Sequence, residues 1–292
     1  MSRDLQRAAF PRNALTVDVE DYFQVEAFAG VIDRNRWDEL PHRVERNVAT
    51  ILDLFAAHGV KATFFTLGWV AERYPDIIRR IVAEGHELAS HGYGHKRVIE
   101  LTPDEFREDI TRSKAILEDV AGMAVNGYRA PSFSIVRESL WAHQVLADAG
   151  YTYSSSVNPI RHDLYGMPDA PKVPYHPIAG DDFLEIPITT VEIMGRTMPC
   201  GGGGFFRLFP YAWFRAAWRR LNASGRPFLF YFHPWEIDPG QPRQSQAPLK
   251  SRFRHYARLN AMEDKIAHAL DDFAWGRMDE VYASQILGSK AA

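Results

Sequence analysis

One cysteine, Cys200, stands in 292 residues, so the chain can form no intrachain disulfide and no cysteine-based zinc site. Charge of one sign is lacking too: 34 Lys and Arg against 37 Asp and Glu leave a formal net charge of −3. With the cations read as scattered rather than striped, composition gives no electrostatic case for nucleic acid or for an anionic membrane surface. No apolar run reaches the roughly 18 residues of a membrane span. The first residues also lack the apolar core of a signal segment, and the expectation is a soluble, cytoplasmic protein. The glycine run Gly201 to Gly204 is not followed by Lys-Ser or Lys-Thr, which argues against a phosphate-binding loop; it reads as a flexible turn. No internal repeat or disordered linker is present.

What is there is a strand and helix alternation. Strand-like runs cover Ala14 to Val19, Lys61 to Leu67, Glu87 to Ser90, Asn126 to Arg129, Tyr151 to Ser155, Phe183 to Ile188 and Phe228 to Phe232. Between them lie segments of helical period, one carrying Val44, Val48, Ile51, Leu52 and Phe55, and the next broken near Pro75. Thr102-Pro103-Asp104-Glu105 has the form of a capped helix start. Gly59, Gly85, Gly122 and Gly150 each close a helix just before a strand. Short strands joined by helices argue parallel pairing with right-handed crossovers. The proline-rich stretch Asn158 to Asp182 reads as a long ordered loop. The fold class expected is α/β, a distorted (β/α)7 barrel with its active site at the carboxyl ends of the strands. One domain is expected over 1–292, with a core at about 14–236 and a C-terminal helical extension at about 250–292.

Polar residues collect at those carboxyl ends: Asp18, Glu20 and Asp21 after the first strand, His91 and His95 after the third, Arg129 after the fourth and His233 after the seventh. In Ala-Ser-His-Gly-Tyr-Gly-His, the two histidines can turn toward one point if Gly92 and Gly94 let the backbone bend. A carboxylate from Asp18-Val19-Glu20-Asp21 would complete a set of two histidines and one carboxylate that leaves open positions on a divalent ion.

These residues resemble the motifs of the polysaccharide deacetylases of carbohydrate esterase family 4, which share a homology domain with the nodulation chitooligosaccharide deacetylases. Thr16-Val17-Asp18 resembles the first motif, Ser90 to His95 the histidine motif, Tyr128-Arg129-Ala130-Pro131-Ser132 the arginine-proline motif and Tyr231 to His233 the late histidine motif. Asp-Val-Glu-Asp-Tyr-Phe and His233-Pro234-Trp235-Glu236-Ile237-Asp238-Pro239 further resemble a bacterial branch encoded in exopolysaccharide loci of the exosortase type. In the family's usual first motif two aspartates are adjacent, the first a base and the second a metal ligand. Here Val19 stands in the second place. Strand alternation sends Asp18 and Glu20 the same way and Asp21 the other, so Glu20 is the expected ligand and Asp21 the reserve.

The resemblance implies a metal-dependent hydrolase that removes N-acetyl groups from an N-acetylated glycan, in exopolysaccharide biosynthesis. It implies zinc, with Co2+ or another divalent ion as alternatives, held by Glu20, His91 and His95. Asp18 would be the base, Arg129 its partner, His233 the acid, and the Ser132 N–H, following Pro131, an oxyanion donor. Trp235, Phe133 and Tyr93 would stack on sugar faces. Two other readings stay open: a metal-independent amidohydrolase like the cofactor-independent allantoinases, and a catalytically silent glycan-binding protein.

Overall fold

The computed structural model describes residues 11–162 and 165–287; residues 163–164 of the proline-rich loop lie outside it. Its centre is a parallel sheet. Strand β1 (Asn13–Val19) pairs through Thr16 to Val19 with β2 (Thr63–Thr66), followed by β3 (Glu87–Ser90), β4 (Gly127–Tyr128), β5 (Tyr153–Ser154) and β6 (Leu184–Glu185). On its other edge β1 pairs with β9 (Leu229–Phe232). Between β6 and β9 the ring is not closed by a regular ladder. Gly202 makes a single parallel bridge to Tyr231, and the Tyr231 N–H donates to the Gly201 carbonyl at 2.8 Å. This is the expected distorted barrel.

Connections are helical. Helices α1 (Val44–Ala57), α2 (Gly68–Arg73), α3 (Pro75–Ala83), α4 (Pro103–Ala121) and α5 (Ala142–Asp148) lie between the first five strands. Thr102 caps α4 with the reciprocal Glu105 bond. Gly59, Gly85, Gly122 and Gly150 all have positive φ, which ends each helix at no Cβ penalty.

Strand alternation divides the interior. Leu15, Val17 and Val19 pack outward with the helices in the larger core. Ala14 faces the barrel interior beside Phe65, Ala89, Tyr153, Leu184 and Tyr231, and Thr16 and Asp18 follow it at the same parity. The buried side chain of Val19 therefore belongs to helix packing and not to the cleft.

Three expectations are corrected. Residues 190–199 form an antiparallel hairpin, β7 (Thr190–Ile193) with β8 (Arg196–Pro199), where no strands were expected. The glycine run is no flexible turn, since Gly203 and Gly204 open α6 (Gly203–Leu208). A Cβ on Gly202 would meet the Tyr231 hydroxyl at 2.6 Å, and one on Gly203 the Glu236 carboxylate at 2.3 Å. The C-terminal part is no mere helical extension: after α7 (Tyr211–Ala223), α8 (Leu249–Tyr256) and α9 (Met262–Asp272), strand β10 (Trp275–Gly276) joins the sheet beside Asn13 and Ala14. Two residues are too few to show a period.

Candidate metal centre and active site

The strand ends bring Asp18, Glu20, His91, His95, Ser132, Phe133, Tyr231, His233 and Trp235 to one cleft of about 140 Å³, with Tyr165 and Glu26 at its wall. Sites that enclose a whole small molecule are commonly roughly 300–1,000 Å³, so this cleft has room for only part of one.

One ligand atom each from Glu20, His91 and His95 lies within 4.8 Å of the others, all three residues buried. His91 Nδ1 is 2.8 Å from the Arg129 carbonyl, which can only accept, so that nitrogen carries the proton and Nε2 presents a lone pair. Burial lowers the His91 imidazole to about 4, against the opposing pull of Asp18 and Glu20. It is thus neutral at pH 7. Glu20 Oε2 sits 2.7 Å from His95 Nε2 without the alignment of a hydrogen bond and has no other partner. Burial alone would raise the Glu20 carboxyl, but the neighbouring His95 and His233 outweigh it and hold it well below the usual carboxylate range. An ionised carboxylate beside the free Nε2 lone pair of His91 and the ring of His95, all in one buried pocket, is a donor set that fits a divalent cation once His95 gives up its Nε2 proton.

The backbone that aims these groups is strained at His95 itself. Gly92 has φ +74°, and a Cβ there would meet Asp109 Oδ2 at 2.8 Å. Gly94 is in an ordinary conformation with open space around it; the second left-handed residue is His95, at φ +52°. Ser132 and Phe133 are left-handed as well. Non-glycine residues in this region cost free energy.

Asp18 is paired with the fully buried Arg129. The same guanidinium donates to Thr16 Oγ1 at 2.8 Å, to the Ser155 carbonyl at 3.1 Å and to Ser155 Oγ at 3.2 Å, and it lies over the Phe65 ring. His233 Nε2 points at the carboxylates, 3.5 Å from Glu20 Oε1 and 3.9 Å from Asp18 Oδ2. Its Nδ1 is 2.8 Å from Glu236 Oε1. Burial would lower this imidazole, but Glu20, Glu236 and Asp18 together raise it to about 9.

Glu236 and Arg207 were missed from the sequence. Glu236 accepts from the His233 backbone N–H at 3.1 Å and from Arg207 Nε at 2.6 Å. Arg207 in turn donates to the carbonyls of Arg254, His255 and Ala257. The spacing of Glu236 three residues after His233, a capping-box pattern, was a signal. Nothing local marks Arg207.

Asp21 faces away from the cleft. Its Oδ2 accepts the N–H groups of Arg43 at 2.6 Å and Val44 at 2.9 Å, at the start of α1, and its Oδ1 accepts from Tyr22. Two of the residues expected to stack on sugar have ring partners within the protein. Trp235 lies between the His233 and His255 rings, stacked on each, and its indole N–H donates to Glu20 Oε1 at 3.1 Å, so it braces the carboxylate. Tyr93 lies in a neighbouring depression under the Arg112 guanidinium, 3.5 Å from its ring centre. Phe133 does line the cleft, and Pro131 turns the chain there, its carbonyl accepting from Ser134.

Residues 36–154 match the polysaccharide deacetylase family. Residues 155–283 match a domain of unknown function, DUF3473. The first match holds His91, His95 and Arg129, and the second holds His233, Glu236 and Arg207. Asp18 and Glu20 precede both. A peptidoglycan-N-acetylglucosamine deacetylase of Bacillus cereus is 42% identical over 93 residues, 32% of this chain and 34% of its own. A chitooligosaccharide deacetylase of Bradyrhizobium is 36% identical over 98 residues, 33% of this chain and 42% of its own. The chain thus spans between 34% and 42% of the length of these relatives. Among solved structures, one from Mycobacterium smegmatis assigned to the polysaccharide deacetylases superposes with TM-score 0.60 at 24% identity, over 94% of this chain and 89% of that one. A carbohydrate esterase family 4 pseudoenzyme from Bacillus anthracis superposes with TM-score 0.50 at 15% identity, over 93% and 65%. Both likenesses are of fold.

Proposed function

We propose that the protein is a metal-dependent hydrolase that removes N-acetyl groups from an N-acetylated polysaccharide or its precursor, in exopolysaccharide biosynthesis. The observation that carries this reading is the convergence of Glu20, His91 and His95 within 4.8 Å beside the Asp18–Arg129 pair and His233. Glu20, His91 and His95 would hold the ion, and their mixed nitrogen and oxygen donor set suits zinc. A divalent ion there supplies Lewis acidity toward the acetyl carbonyl and lowers the pKa of water.

The chain's own groups do the rest. Asp18, fixed by Arg129, takes the proton from the attacking water. The Ser132 N–H, in the turn set by Pro131, donates to the oxygen on which negative charge develops. His233 hands a proton from Nε2 to the departing amine, because an amide nitrogen leaves poorly until protonated. Glu236 keeps His233 Nδ1 occupied, so that Nε2 is the nitrogen facing the cleft. The small cleft and the Phe133 wall suit an acetamido group presented from a longer glycan lying outside.

The test is acetate release from N-acetylated oligosaccharides by purified protein, before and after chelation and with zinc restored. Release that disappears with chelator and returns with zinc supports the reading. Release unaffected by chelator points to a metal-independent amidohydrolase, and glycan binding without release points to a silent binding protein.

A further inference from the structure

The near-neutral balance of the whole chain hides a segment with no acidic residue. From Pro239 to Met262 there is no Asp or Glu, while Arg243, Lys250, Arg252, Arg254 and Arg258 fall within it. The segment folds into α8. That helix carries the strongest pair of exposed apolar side chains in the described residues on one element: Leu249 is 79% and Phe253 65% exposed. Four residues apart, they form one ridge, and at 100° per residue Lys250 and Arg254 flank it on one side and Arg252 on the other. The opposite face is anchored. His255 is buried against Phe28 and Trp235, and Arg207 holds the carbonyls of Arg254 and His255. The ridge is therefore a prefolded surface and does not arise from a frayed end.

We propose that α8 seats the protein on an anionic lipid surface, with Leu249 and Phe253 entering the acyl boundary and the surrounding cations meeting phosphate headgroups. An apolar ridge bordered by Lys and Arg is the pattern of interfacial helices, and the cations supply attraction to an anionic leaflet. A soluble polyanion would use the cations but gain nothing from an exposed Leu249, which is why the lipid surface is favoured. The contact of His255 with Trp235, which itself bonds Glu20, ties the buried face of this helix to the wall of the cleft. Composition alone makes no electrostatic case for an anionic membrane surface, because net charge averages over faces that never meet the same partner.

The test is flotation of the full chain with vesicles of phosphatidylcholine alone and of phosphatidylcholine with phosphatidylglycerol, at low and high salt. Wild type should float with the anionic vesicles only and be released by salt. The double variant Leu249→Ser, Phe253→Ser should lose about tenfold or more in vesicle affinity with its melting temperature unchanged. Lys250→Glu with Arg254→Glu should lose binding independently. No flotation of wild type at low salt would overturn the proposal, as would equal binding to neutral vesicles. Unchanged flotation of the serine variant, or tighter binding of both proteins to a soluble sulfated polysaccharide than to vesicles, would overturn it in favour of a polyanion site.

Discussion

At the scale of single residues the decisive pair is Glu20 and Asp21. They are adjacent in sequence and opposite in space, one toward the histidines and the other capping α1. Glu20→Gln should weaken zinc affinity about tenfold or more, because a direct ligand's charge is lost. Asp21→Asn should leave affinity nearly unchanged, and Asp21→Ala should cost on the order of 1–2 kcal/mol in stability through the lost cap. Chelator competition and thermal melts read the two effects separately. Asp18→Asn should retain metal and lose roughly a hundredfold or more in turnover; loss of metal instead would mean that base and ligand are exchanged. The cleft side of β1 was legible because strand parity alone separates Asp18 and Glu20 from Val19. The bracing bond from Trp235 to Glu20 was not, since the two are 215 positions apart.

At the scale of elements the junction of β9 and α6 matters most. Glu236 reaches both His233 and Arg207 only because Gly203 has no side chain. Gly203→Ala should displace that carboxylate, lowering both melting temperature and turnover. Gly204→Ala, with nothing within 4 Å of its Cβ, should leave turnover intact and stabilise α6 by about 0.5–1 kcal/mol. Equal behaviour of the two variants would remove the packing argument. The parallel strands and their helices were legible because four terminal glycines and the Thr102 cap punctuate them. The hairpin β7–β8 was not, since Thr190-Val191-Glu192-Ile193 alternates polar and apolar over only four residues and its turn rests on Met194 and Gly195 in place of an Asn-Gly or Asp-Gly pair. Arg207 was illegible for a different reason: a buried ion pair between elements leaves no periodic trace.

At the scale of the whole molecule, the end of the barrel opposite the cleft couples stability to pH. Glu87, buried, accepts from Thr63 at 2.5 Å and Tyr153 at 2.7 Å. Burial, and then the nearby Asp279, raise its carboxyl from an ordinary 4.5 to about 7. A carboxyl raised by folding binds its proton more tightly in the folded state. Its stabilising contribution is therefore complete below the unfolded value and is lost as pH rises through about 7. Wild type should lose a few degrees of melting temperature between pH 5 and pH 8 from this group, as estimated from size scaling. Glu87→Gln should flatten that part of the curve. Parallel curves for the two proteins would show that Glu87 does not titrate in this range.

The sheet crosses the boundary between the two family matches, with β1 to β5 before residue 155 and β6, β9 and β10 after it. The cleft likewise needs both parts, histidines from one and His233 with Glu236 from the other. The proposed chemistry requires one divalent ion among Glu20, His91 and His95. Anomalous diffraction at the zinc edge from crystals of the zinc-loaded protein tests it most directly. One strong peak should appear among Glu20, His91 and His95 and disappear in His91→Ala. No peak in that cleft, or a peak ligated by Asp21, would contradict it.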